Sequence, residues 1–202
     1  MDKKKFIIIV VVFSIIGALM GESFFIYRKF FKKEDAIKIV AATEKRYFEI
    51  NDEAIGVQFY ASKNFDRMSS QELQLKNPSF LYGFNARSDK NIYCTVSQTV
   101  REKPGIVKVS DLRDGVLSQI KKTYSDAKLE SAEIVDVGEN NNKGIKVGVG
   151  YTDNGIAMIQ QEVVGITNKT ATFMFCVAPR SVINLYKDDF DLFLNSIKIH
   201  PI

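Results

Sequence analysis

Apolar and polar positions along this chain fall into two regimes. Residues 6–20 form an uncharged run, Phe-Ile-Ile-Ile-Val-Val-Val-Phe-Ser-Ile-Ile-Gly-Ala-Leu-Met, and after Gly21-Glu22-Ser23 it is extended by Phe24-Phe25-Ile26-Tyr27. As a helix, residues 6–27 would be about 33 Å long, enough to cross a hydrocarbon core of about 30 Å. The pattern predicts one N-terminal transmembrane helix, with Phe6, Ile9, Val12, Ile16, Leu19, Phe24, Ile26 and Tyr27 as its anchor residues. Residues 1–5 are then a basic N-tail, and residues 28–45, which continue without proline and with basic side chains, a juxtamembrane stalk. A cleaved signal peptide would want small residues at its cleavage point. Ile16/Ala18 and Leu19/Gly21 are poor pairs and only Gly21/Ser23 is tolerable, while aromatic and basic residues follow at once, so the run reads as an uncleaved anchor.

From residue 46 to 202 the pattern is that of one water-phase domain. Phe48 to Asn51 and Ala54 to Tyr60 read as a strand pair around an Asn51-Asp52 turn. Residues 61–79 read as irregular, tethered by Phe65, Met68, Leu73 and Leu75. Residues 80–87 and 91–100 predict a hairpin with Ile92, Cys94 and Val96 on one face. Leu112, Val116, Ile120 and Tyr124 fall at helical spacing behind Ser110, the expected N-cap. Three turn signals, around Asn142, at Asp153-Asn154-Gly155 and at Asn168-Lys169, then divide the chain into strands 131–137, 145–152, 156–166 and 170–178. The last strand is apolar on both sides, Phe173, Phe175 and Val177 against Met174, Cys176 and Ala178, so each side needs a cover. A closing helix over 181–196 carries an apolar stripe of Tyr186, Phe190, Phe193 and Leu194, continued by Ile197. Together these predict the α+β class: a three-layer α/β/α sandwich with a central antiparallel sheet, preceded by one transmembrane helix.

Charge does not change this picture. The net +4 is concentrated in residues 1–35, where seven basic side chains face four acidic ones. The remainder is close to neutral, so the domain lacks the electrostatic footprint of a nucleic-acid binder.

Candidate chemistry is sparse. The single histidine, His200, lies after the last helix, and no residues have the spacing of a zinc site, a calcium loop or a phosphate loop. Cys94 and Cys176 lie mid-strand among apolar residues and read as inert core thiols, or as a disulfide if the domain is extracytoplasmic. No catalytic, cofactor-binding or metal residue is expected, and the chain reads as a non-enzyme with no cofactor.

The early Gly56-Val-Gln-Phe-Tyr60 strand, the mid-chain helix, the long meander and the closing helix ending Asn195-Ser196-Ile197-Lys198-Ile199 together resemble the PsbP-like family over about residues 46–200. The chain departs from that pattern where the family often has Pro and Trp after the early strand. Here Ala61 follows Tyr60, Phe65 is the nearest aromatic, and tryptophan is absent. The resemblance implies a sandwich used as an accessory or assembly factor that binds protein partners, and it carries over no catalytic residue. The expected function is a non-catalytic, single-pass membrane protein whose domain lies outside the cytoplasm and docks onto a membrane or envelope protein. The alternative is a tethered module for an apolar or lipid-like ligand held between sheet and helix.

Overall fold

The computed structural model describes residues 47–101, 107–138 and 142–200. The N-tail, the anchor positions Phe6 to Tyr27 and the stalk lie outside the described residues. Among the described residues, no helix is long and apolar enough to cross a membrane.

The domain is α+β with antiparallel sheets. In chain order it contains β1 (Tyr47–Asp52), β2 (Val57–Ser62), β3 (Phe65–Arg67), α1 (Ser70–Lys76), β4 (Phe80–Ala86), β5 (Tyr93–Val100), α2 (Val109–Thr123), β6 (Lys128–Asp136), β7 (Lys143–Asp153), β8 (Ile156–Ile166), β9 (Thr170–Pro179), a 3₁₀ turn (Ile183–Leu185), α3 (Lys187–Asn195) and β10 (Lys198–Ile199). Seven strands pair in the order β3-β4-β5-β9-β8-β7-β6, and a separate sheet has the order β1-β2-β10. From β5 the chain crosses through α2 to the far edge, then returns by the meander β6-β7-β8-β9 until β9 lies beside β5. That return sets Cys94 directly opposite Cys176. The two are joined in a disulfide, with Cα atoms 4.0 Å apart and a separation of 82 positions in sequence.

Strand alternation decides what covers each face. Ile145, Val147, Val149 and Tyr151 of β7 pack with Val116 and Ile120 of α2. Lys146 points the other way, and its Nζ bonds Asp191 and Asn195 of α3 at 3.0 and 2.9 Å. On that second face Phe59 of β2 meets Tyr82, Phe84 and Phe193 edge-on, at centroid distances of 5.6, 6.2 and 5.3 Å. The α2 face thus carries α2 and, over β4, α1. There Gly83 makes room, because a Cβ would sit 2.5 Å from Met68 Sδ and 2.6 Å from Leu73 Cδ2. The β2 face carries the small sheet and α3.

Several expectations are corrected. The one central sheet is two sheets, because β10 pairs with β2 and draws β1-β2 into a layer of its own. Asn51 and Asp52 are the last residues of β1, and the turn falls at 53–56, where Asp52 Oδ1 accepts the Ala54 amide at 3.0 Å. Residues 61–79 are ordered as β3 and α1. Ser69 caps α1 in a reciprocal pair with Glu72, a capping box that stood in the sequence as Ser-x-x-Glu. Leu75 tethers nothing and is 80% exposed. Ser110 is not the cap of α2: Lys108 holds that position, and Ser110 lies inside the first turn. The closing helix begins at Lys187, behind the 3₁₀ turn. The Asp153-Asn154-Gly155 turn is as expected, with positive φ at Asn154 (48°) and Gly155 (80°), the geometry of a tight hairpin.

Candidate functional site

The α2 face is only partly covered. Helix α1 stands at one side over β4 and α2 at the other over β6 and β7, leaving β5 and β9 as the floor between them. The ladder places Thr95 opposite Phe175, and Phe175 opposite Glu162. Phe80, Tyr93, Phe173 and Phe175 are half-buried. The Phe175 ring lies edge-on to Phe80 at 5.6 Å and to Tyr93 at 6.3 Å, so the three make a continuous row. This aromatic trough is the candidate site.

One end of the trough is phenolic. Tyr124, the residue after α2, stacks on Tyr151 of β7 with ring centroids 4.2 Å apart. Burial, followed by the neighbouring Tyr124 and Asp153, pushes the Tyr93 hydroxyl up to about 12. Burial and then Asp153, which also hydrogen-bonds it, raise Tyr124. Tyr151 is raised by burial and then by Tyr93, Tyr124 and Asp153. All three stay protonated near neutral pH and present hydrogen-bond donors. Lys76, in the last turn of α1, holds its ammonium 3.7 Å from the centroid of the Tyr93 ring, a cation–π contact. Burial lowers the Lys76 pKa, with Glu72 opposing.

Beneath the aromatic row are polar groups that a purely structural core would not hold. Glu162 is 6% exposed. Burial raises its carboxyl to about 7, against a hydrogen bond donated by Gln160 Nε2 at 2.7 Å. Asn85 Oδ1 and Thr95 Oγ1, on the same face, are buried without a hydrogen-bond partner in the protein. Each such group costs about 1–3 kcal/mol of stability. Half-buried aromatic residues are a feature shared with protein-docking surfaces, where lysine and glutamate are by contrast depleted.

A separate cleft of about 260 Å³ is lined by Asn51, Glu53, Gly56, Gln58 and His200. Gln58 is already engaged with Glu49, and the His200 amide donates to Gly56 O, which ties the tail to the start of β2. These side chains can hydrogen-bond a ligand. Among the described residues no group of three His, Cys, Asp or Glu could hold a metal ion.

The sequence pattern does not single out Tyr93, Tyr151, Lys76 or Glu162, and it places Tyr124 only on the apolar stripe of the mid-chain helix. The available signal was an acid in β8 at an alternate position to Met158 and Val164, on the side of the strand that packs.

No protein-family model matches the chain, and no curated protein matches its sequence. Solved structures do match. The solution structure of cyanobacterial PsbP (CyanoP) from Synechocystis sp. PCC 6803 superposes with a TM-score of 0.57 at 12% identity, covering 77% of this chain and 93% of that one. LpqN, involved in cell envelope biogenesis of Mycobacterium tuberculosis, superposes with a TM-score of 0.51 at 12% identity, covering 72% and 83%. At such identity the likeness is one of fold, and the fold is PsbP-like, as the sequence resemblance implied.

Proposed function

We propose that this chain is a non-catalytic accessory protein, tethered to a membrane by residues 6–27, whose domain docks onto a membrane or envelope protein partner through the aromatic trough. The observation that carries the reading is the trough itself: a half-buried row of Phe80, Phe175 and Tyr93 flanked by Lys76 and the tyrosine cluster, on the face where buried polar groups are tolerated. The shared fold adds support, since LpqN has its role in the cell envelope. The Cys94–Cys176 disulfide favours an oxidising compartment and hence the outer side of the membrane.

The test is recovery of the full chain from native membranes in mild detergent. The expected result is a protein that needs detergent, keeps its N-terminal residues by intact mass, and brings down a stoichiometric partner that Tyr93→Ala loses. Recovery from the aqueous fraction, or a partner retained equally by Tyr93→Ala, would overturn the reading.

The alternative, a module for an apolar or lipid-like ligand, is favoured by one observation. Glu162 lies under apolar and aromatic side chains, where a buried carboxyl could orient a ligand's polar end. A discrete small-molecule mass retained in native mass spectrometry would support it, and an empty mass would count against it.

A further inference from the structure

We infer that the outer edge of β6 is a self-association surface, on which a second copy of this chain pairs its own β6 antiparallel to form one continuous sheet. Among the described residues β6 pairs only with β7, so one side of a nine-residue strand is open. Its alternate N–H and C=O groups are then free to template another strand. The opposite edge of the same sheet is closed off by the three-residue β3. Along β6, Leu129, Ala132 and Ile134 share the α2 face, because their ladder partners Val149, Val147 and Ile145 are all buried under α2. Ile134 is 65% exposed and Leu129 36%, an apolar strip that nothing among the described residues covers.

Charges on β6 can also serve to guard an edge against promiscuous pairing. Here two of them are already neutralised, Glu130 by Arg180 and Asp136 by Lys143. Lys128 and Glu133 form no salt bridge among the described residues. The bulge between Leu129 and Ser131 puts these two on the same face, since their partners Gly150 and Lys146 are both on the β2 side of β7. A two-fold axis through Ala132, the centre of the strand, brings each Lys128 diagonal to Glu133 of the other copy, within reach of a cross-strand ion pair. The two charges without a salt bridge, of which Lys128 also faces Asp126 in its own chain, are therefore self-complementary when the strand meets itself antiparallel, and they fit a second copy better than a strand of arbitrary sequence.

The same axis, normal to the sheet, keeps like faces together. The exposed Leu129 and Ile134 of both copies then lie in one strip between the two α2 helices. Both copies of β1, which opens the described domain at Tyr47, lie on the opposite side. The edge pairing does not rest on the proposed tether.

The test is oxidative cross-linking of the full chain in mild detergent, with Ala132→Cys compared against Leu75→Cys, an 80% exposed control position on α1. Ala132→Cys is expected to give a disulfide-linked species of twice the chain mass, and Leu75→Cys is not. Lys128→Glu and Glu133→Lys should each reduce that dimer by about threefold to tenfold, and the Lys128→Glu/Glu133→Lys double variant should restore it. The inference is overturned by a monomer at Ala132→Cys, by cross-linking no greater than at Leu75→Cys, by a conjugate with a different protein, or by a double variant no better than either single one. A dimer that forms without any other partner would leave this inference standing while the docking function failed.

Discussion

The two faces of the seven-stranded sheet are made by the same strands, yet they are built to different standards. Toward β2 and α3, Phe59, Phe84, Met174, Cys176 and Phe193 are all within 3% of complete burial, and their rings meet edge-on in a dry cluster. Toward α1 and α2, the equivalent positions of neighbouring residues are half-covered aromatics over a buried carboxyl, an amide and a hydroxyl. Strand alternation alone sends Phe175 to one side and Met174 to the other. The difference in how they are covered comes from the elements laid on top. On the α2 face a packed cluster, Ile145, Val147 and Val149 with Val116 and Ile120, lies beside the half-covered aromatic row, whereas the ring cluster on the β2 face is buried throughout.

The largest expected effect separates the faces directly. Phe59→Ala empties the centre of the dry cluster and should cost about 3–5 kcal/mol in chemical denaturation. Phe175→Ala removes a half-buried ring and should cost roughly 1–2 kcal/mol, because less surface leaves water on folding and the trough can relax. Equal losses from the two changes would erase the distinction between core and site.

A smaller effect sharpens the comparison through pH. The Glu162 carboxyl is raised from 4.5 to about 7 by burial, so the folded state binds its proton more tightly than the unfolded chain does. The stabilisation from that proton is complete below about pH 4.5 and is lost as pH rises through 7. Glu162→Gln keeps a neutral polar side chain at every pH. The variant should therefore exceed the parent in stability at pH 8, by on the order of 2 kcal/mol, and the gap should close toward pH 5. A gap that stays constant between pH 5 and pH 8 would mean that Glu162 is not held as a buried acid.

Much of the fold was legible because it rests on local chemistry. The Asp153-Asn154-Gly155 turn requires positive φ, and the residues there supply it. The two-sided apolar pattern of residues 170–178 demanded a cover on each face; β2 with α3 supplies one, while on the other Val177 is buried in the α2 cluster and Phe173 and Phe175 are only half-covered. The second sheet was not legible, because it depends on β10, two residues whose pairing with Val57 and Gln58 is set by where α3 ends and not by any pattern of their own. The Ser69–Glu72 capping box was present to be read and was passed over in a stretch that looked irregular. Ser110 illustrates the converse: a residue suited to capping lies within the first turn of the helix, because the cap falls two residues earlier, at Lys108. The candidate site was the least legible part. Tyr93, Tyr124 and Tyr151 come from a strand, the end of a helix and another strand, and only the crossover through α2 brings them together. Glu162 stands in Gln160-Gln161-Glu162 ahead of Val163-Val164, where polarity suggests solvent but alternation turns its side chain inward.

The docking claim is tested most directly by a photo-reactive p-benzoylphenylalanine placed in native membranes at Phe173, inside the trough, and separately at Leu185, 78% exposed and outside it. Illumination should join position 173 to one discrete protein other than this chain, with no matching adduct from position 185. Identical adducts from both positions, or a trough that labels only lipid or nothing, would contradict a protein partner seated on the α2 face.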